Sequence, residues 1–216
     1  MNSYDARTGE RANLEYPAAS YAGAVYRGIC ESCNGGWMCT LEGKAARLLR
    51  PLISGKASTL ADVELVTVAT WACMKSMSLE ARNFAPEEWS FTSDERTIVM
   101  EEDRPPSRVA IFAACAEMKG QPQSYSRTQG AVLASGRALP LTIHTLQINT
   151  LVLQVMAPEL AARVVSPLSV PPSVQKFEVP VFPPPPPGSP SFFWPPELSI
   201  LDEDQLRLYQ RRQPPR

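Results

Sequence analysis

Three features of the sequence predict an α+β fold. Residues 36–52 and 60–81 carry apolar side chains at the three- and four-residue spacing of amphipathic helices. Residues 108–117 and 142–156 are rich in apolar and β-branched side chains, as strands are. Ahead of both lies a C-x-x-C knuckle, Cys30 and Cys33, that leads straight into the first helix. The expected architecture is the knuckle, an antiparallel helix pair, a small antiparallel sheet and a Pro-rich C-terminal extension. Three segments follow: 1–28, mostly irregular; 29–157, the α+β domain; and 158–216, the extension with a short terminal helix.

In chain order, Met38, Leu41, Ala45, Leu48, Leu49 and Leu52 form the stripe of the first helix, which Gly55 ends. Thr59, with Asp62 three residues on, reads as the cap of the second helix. Its stripe is Val63, Val66, Thr70, Met74 and Met77, with Trp71 beside it and Cys73 as a buried thiol. The connection is short, so the two helices should pack as an antiparallel pair. Thr92 and Glu95 form a second capping box, opening a short helix to about Glu101. Arg108 to Glu117 is a strand apolar on both faces, with Cys115 in the core. Residues 121–128 read as a turn, 129–139 as a second strand, and 142–156 as one long or bent strand carrying His144, the chain's only histidine. With no motif around it, His144 is assigned to a strand face. Beyond Pro158 lie most of the 22 prolines, including the polyproline run 183–187. That run is a stiff spacer leading to Phe192, Phe193 and Trp194, which should fold back onto the domain.

The knuckle carries the chemistry. Two thiolates at this spacing can turn onto one ion where the backbone between them bends tightly, and Asn34-Gly35-Gly36 permits a positive-φ turn. Zinc takes four tetrahedral ligands, so Cys30 and Cys33 supply two. Cys39 falls in the first helical turn, where a third ligand can sit. Backbone N–H groups at the helix start stabilise thiolate charge. A redox C-x-x-C usually follows a strand in a βαβ unit, a context this sequence does not offer. Lys44, Arg47 and Arg50 share one flank of the first helix, suited either to phosphate contact or to solvation.

The run C-E-S-C-N-G-G-W-M-C-T-L-E, followed by Pro51-Leu52-Ile53 and by T-W-A-C-M-K-S-M with Trp71 and Lys75, resembles a group of bacterial and phage proteins described as HNH-endonuclease-like. Pro105-Pro106 and Trp194-Pro195-Pro196 fit the same group. The resemblance covers most of the chain, but only Cys30–Glu42 is specific. It implies a treble-clef zinc module and association with DNA. Members of the group carry an earlier C-x-x-C and a Glu-His pair before a proline, whereas Met1–Ile29 contains neither cysteine nor histidine. The resemblance therefore implies a shortened or degenerate relative with half a zinc site. It would lack the histidine that activates water in HNH chemistry.

Composition narrows the choice. A net charge of −1 offers no global attraction to nucleic acid or to membranes. Five cysteines in 216 residues do not make a disulfide framework, and the expected compartment is the cytoplasm. No apolar run is long enough for a membrane span. Three functions stay open. One is a nucleic-acid-associated protein with an incomplete zinc site, whose missing ligand pair is supplied by a second chain or absent, and without catalysis of its own. Another is a structural or interaction domain whose cysteines fill the core. The last is an active metal-dependent nuclease, which the missing histidine disfavours.

Overall fold

The computed structural model describes residues 3–4, 11–12, 30–83, 86, 89–117, 123–132, 138–158, 179–183, 192–196, 200 and 205. Two short strands, β1 (Ser3–Tyr4) and β2 (Arg11–Ala12), pair antiparallel. The remainder of 1–28, the polyproline run after Pro183 and all of the expected terminal helix except Gln205 lie outside the described residues. The architecture is α+β, as the periodicity predicts.

A helical turn, α1 (Glu31–Cys33), runs through a widened π-type turn at Asn34–Met38 into α2 (Cys39–Ile53). The predicted stripe is the buried one: Met38, Leu41, Ala45, Leu49 and Leu52 are at most 6% exposed. Gly55 ends the helix at φ +64, a conformation that costs a residue without Cβ little. The strand β3 (Ser58–Leu60) follows, then α3 (Asp62–Asn83), packed against α2. The next helix, α4 (Ser93–Glu101), opens on the predicted capping box: Thr92 Oγ1 accepts from Glu95 N at 3.2 Å, and Thr92 N donates to Glu95 Oε2 at 2.9 Å.

The main sheet comprises β4 (Ala110–Cys115), β5 (Gln123–Val132), β6 (Ala138–Ile148), β7 (Leu151–Pro158) and β8 (Val179–Phe182). Its order is β5-β6-β7-β4-β8, with every pair antiparallel. The α3 helix packs against β5, β7 and β8, and the core fills the space between helices and sheet. The strand β9 (Phe192–Trp194) pairs with β3, burying Phe192 and Trp194 as the sequence predicts, but Phe193, expected to fold back with them, faces outward at 59% exposed because side chains alternate along a strand. Two strands from beyond residue 158 thus complete sheets begun by earlier residues.

Four expectations are corrected. Thr59 lies in β3, held there by pairing with Phe193, so it does not cap α3. The first helical bond runs from Leu65 N to Ala61 O, and the Glu64 carboxylate reaches back to Ala61 N at 2.8 Å. Residues 123–132 form a strand rather than a turn, because they pair along their length with β6. The long apolar stretch 142–156 divides into β6 and β7 at Asn149-Thr150, with Asn149 at φ +52. Val63 is 73% exposed, since the buried side of α3 begins at Leu65 and its middle, 68–74, is enclosed all round.

The end of α2 is fixed by side chains from distant strands. Trp194 Nε1 donates to Leu52 O at 3.0 Å, Thr150 Oγ1 lies 3.0 and 2.9 Å from the Leu52 and Ile53 carbonyls, and Asn149 Nδ2 donates to Ile53 O at 2.8 Å. Helix ends leave such carbonyls without intrahelical donors, and here the turn between β6 and β7 and the strand β9 supply them. Replacing Trp194 with phenylalanine removes one shared donor and should cost about 1 kcal/mol. Replacing it with alanine also empties a buried ring site and should cost ~3–5 kcal/mol. Denaturant unfolding of both variants checks the ranking, and equal losses would contradict the capping role.

Candidate functional site

The cysteine corner is built by the start of α1. Cys30 is the N-cap residue, with extended backbone angles (φ −70, ψ 152), and its Sγ accepts a hydrogen bond from Cys33 N at 3.1 Å. The Ser32 hydroxyl lies 3.2 Å from the same sulfur. The positive-φ turn expected at Asn34-Gly35-Gly36 does not form. The chain stays helical there and breaks only at Gly36, at φ −97 and ψ −111. The reason is that an N-cap cysteine already folds its side chain over the first turn, so no reversal is required.

The two thiols differ. Cys30 is exposed, while Cys33 is half-buried and packs with Trp37 against the core. The Cys30 thiol is lowered to about 7, chiefly by the Cys33 side chain and then by the Ser32 hydroxyl and the Cys33 backbone N–H. Cys33 is raised, first by serving Cys30, then by burial and by the neighbouring charge. The Trp37 side chain, turned toward the Cys33 sulfur, opposes that rise. Cys39 is exposed at the start of α2, and Cys73 and Cys115 are buried, the latter two as expected.

Among the described residues, no group of three or more His, Cys, Asp or Glu side chains is placed to hold a metal ion. Cys30 and Cys33 would supply two of the four ligands that zinc takes.

The basic flank divides. Lys44 is tied to Asp103 at 2.5 Å, at the edge of a cleft of about 340 Å³ whose other walls include Trp37, Thr40 and Met100. Arg47 and Arg50 are exposed and form no ion pair among the described residues. Glu42, for which the sequence offers no partner, pairs with Lys75, and the Lys75 ammonium stands 5.8 Å from the centre of the Trp71 ring. Glu42, Lys75 and Trp71 therefore meet across α2 and α3.

One cluster is not foreseen by the sequence. Glu80, near the end of α3, is 1% exposed and accepts from Ser90 N at 2.9 Å, from the Ser90 hydroxyl, from Phe91 N at 3.4 Å and from Arg96 Nη2 at 2.8 Å. His144 Nε2 lies 3.1 Å from its Oε1, and the imidazole stacks on Phe91 at 5.9 Å. Burial alone would raise the Glu80 carboxyl, but His144 and the Ser90 donors outweigh it and hold the group below the usual carboxylate range. A carboxylate beside an imidazole is acid–base equipment, but here both groups are closed to solvent and their bonds join α3, α4 and β6. The signal was the place of Glu80 on the buried Ala69, Cys73, Ser76 side of its helix, at helical spacing.

Comparison with protein-family models, with curated proteins and with solved structures yields no match for this chain.

Two measurements check these assignments. Alkylation of Cys30 by iodoacetamide, followed by peptide mapping, should rise to its half-maximum near pH 7, since the thiolate is the reacting form. A midpoint near the ordinary ~8.5 would contradict the cap geometry. Glu80→Ala strands a buried imidazole and guanidinium and should cost ~3–5 kcal/mol in denaturant unfolding. A depressed carboxyl contributes stability that is present above its unfolded pKa of ~4.3 and lost as the pH falls through its lower folded value. The difference between wild type and Glu80→Gln should accordingly shrink in acid.

Proposed function

We propose that this protein is a nucleic-acid-associated, HNH-endonuclease-like protein without catalysis of its own, in which Cys30 and Cys33 form half of a zinc site that a second chain closes. The observation that carries the reading is the Cys33 N–H bond to Cys30 Sγ at 3.1 Å. It holds an exposed sulfur with one face turned to solvent and charge-stabilised from beneath, as a thiolate ligand requires. Zinc, bound by Cys30 and Cys33 and by two donors from outside the chain, would lock the turn and join the subunits. The motif shared with the family, from Cys30 to Glu42, supports the same reading.

DNA contact falls to Arg47 and Arg50. Lys44 contributes less than the sequence alone suggests, because reaching a phosphate would break its pair with Asp103. Two cations without a strongly basic surface fit weak, salt-sensitive association rather than tight sequence reading. Among the described residues no helix is long and apolar enough to cross a membrane, and work in the reducing cytoplasm agrees with thiols kept free for metal.

A reading in which the cysteines merely fill the core has less support, because Cys30 is exposed where Cys73 and Cys115 are buried. The deciding experiment is elemental analysis of the purified protein beside its mass in solution. The expected result is one zinc per dimer, with zinc and dimer both lost in Cys30→Ser and Cys33→Ser. A metal-free monomer that is fully folded would overturn the reading.

A further inference from the structure

We infer that Cys30 and Cys33 also form a reversible dithiol that reacts with low-molecular-weight disulfides, with Cys30 as the attacking and Cys33 as the resolving sulfur. The inference does not rest on metal binding and concerns the metal-free protein.

The geometry separates the two roles. Cys30 stands exposed at the end of the helical segment, and its sulfur can be approached from solvent. Cys33 is half-buried, packed with Trp37 against the core, less open to solvent than Cys30 and one helical turn from it. The bond from Cys33 N draws the Cys30 sulfur to 3.1 Å from the backbone that carries the Cys33 side chain. A disulfide needs its two Cβ atoms about 3.5–4.5 Å apart, closer than an ordinary helical turn brings them. Just beyond Cys33 the helical angles fail at Gly36, so regular helix geometry does not continue past this end of the segment. The remaining thiols are poorly placed to intervene, with Cys73 and Cys115 buried and Cys39 beyond the break in the helix.

The reaction balances in two exchanges. The Cys30 thiolate attacks one sulfur of the small disulfide, whose S–S bond breaks to release one thiolate and leave a mixed disulfide on Cys30. Cys33 gives its proton to the released thiolate and attacks the Cys30 sulfur, expelling the second thiolate. Starting from its Cys30 thiolate the protein loses two electrons and one proton, and the small disulfide becomes one thiol and one thiolate, which takes up a proton from solvent. Excess small thiol reverses both steps.

The test uses full-length protein in a Cys39→Ser background, stripped of metal with a chelator and exposed to oxidised glutathione. With both cysteines present, peptide mapping should find a Cys30–Cys33 bridge and no retained glutathione, and reduced glutathione should restore the thiols. Cys33→Ser should hold one glutathione on Cys30. In Cys30→Ser, modification of Cys33 should be about tenfold slower or more, given its poorer exposure. Glutathione retained on Cys30 beside an intact Cys33 would overturn the proposal, as would equal rates in the two single variants or no reaction in the folded protein. Because metal is absent throughout, failure here leaves the zinc reading untouched, and absence of zinc in the native protein leaves this proposal untouched.

Discussion

A single buried carboxylate holds the helical layer to the sheet. Glu80 belongs to α3, but its partners come from the segment before α4, from α4 itself and from β6 in the sheet. An ionised group can remain in such a place only while its donors surround it, since desolvation is otherwise prohibitive. The arrangement is therefore mutual. Arg96 lies 4.1 Å from the centre of the Trp89 ring, and Arg108 bridges Glu95 and the Ser90 carbonyl, so the donors around Glu80 are themselves held. The register of α4 over α3 follows from this network more than from apolar packing, because Val99 is the only residue of α4 that is buried.

The cysteine corner depends on that frame at one remove. It projects from the front of α2, whose apolar stripe lies on the core and whose last carbonyls are held by Thr150, Asn149 and Trp194. The rear of the helix is thus fixed while its front carries a break at Gly36. The break at Gly36 lies between the cysteines and the buried stripe that begins at Met38, although Cys33 and Trp37 still pack against that core.

Much of this was legible in the sequence, and the exceptions have physical causes. The α2 stripe, the Thr92 capping box, the Gly55 terminus and the burial of Cys73, Cys115, Phe192 and Trp194 all follow from local pattern. The turn that separates β6 from β7 was hidden because Asn149-Thr150 lacks the glycine that usually marks a hairpin. Residues 123–132 were hidden because polar strands are specified by their neighbours rather than by their own alternation. Thr59 has the chemistry of a cap but is claimed by a strand from more than a hundred residues away. At the site, the spacing of Cys30 and Cys33 identified the pair. Their unequal exposure is a tertiary fact, set by where Trp37 packs, and so was the capture of Lys44 by Asp103.

The pairing of β3 with β9 bears on how the molecule is made. Ser58–Leu60 emerges early during synthesis, and its partner strand, Phe192–Trp194, emerges more than a hundred residues later. The same late segment brings the indole that holds the end of α2. The nascent chain must therefore carry an unpaired strand and an open helix end through most of translation. Contacts of such sequence separation slow folding and leave apolar surface uncovered meanwhile. The helix pair, synthesised first, is in effect a waiting surface that is completed only when the last strand emerges.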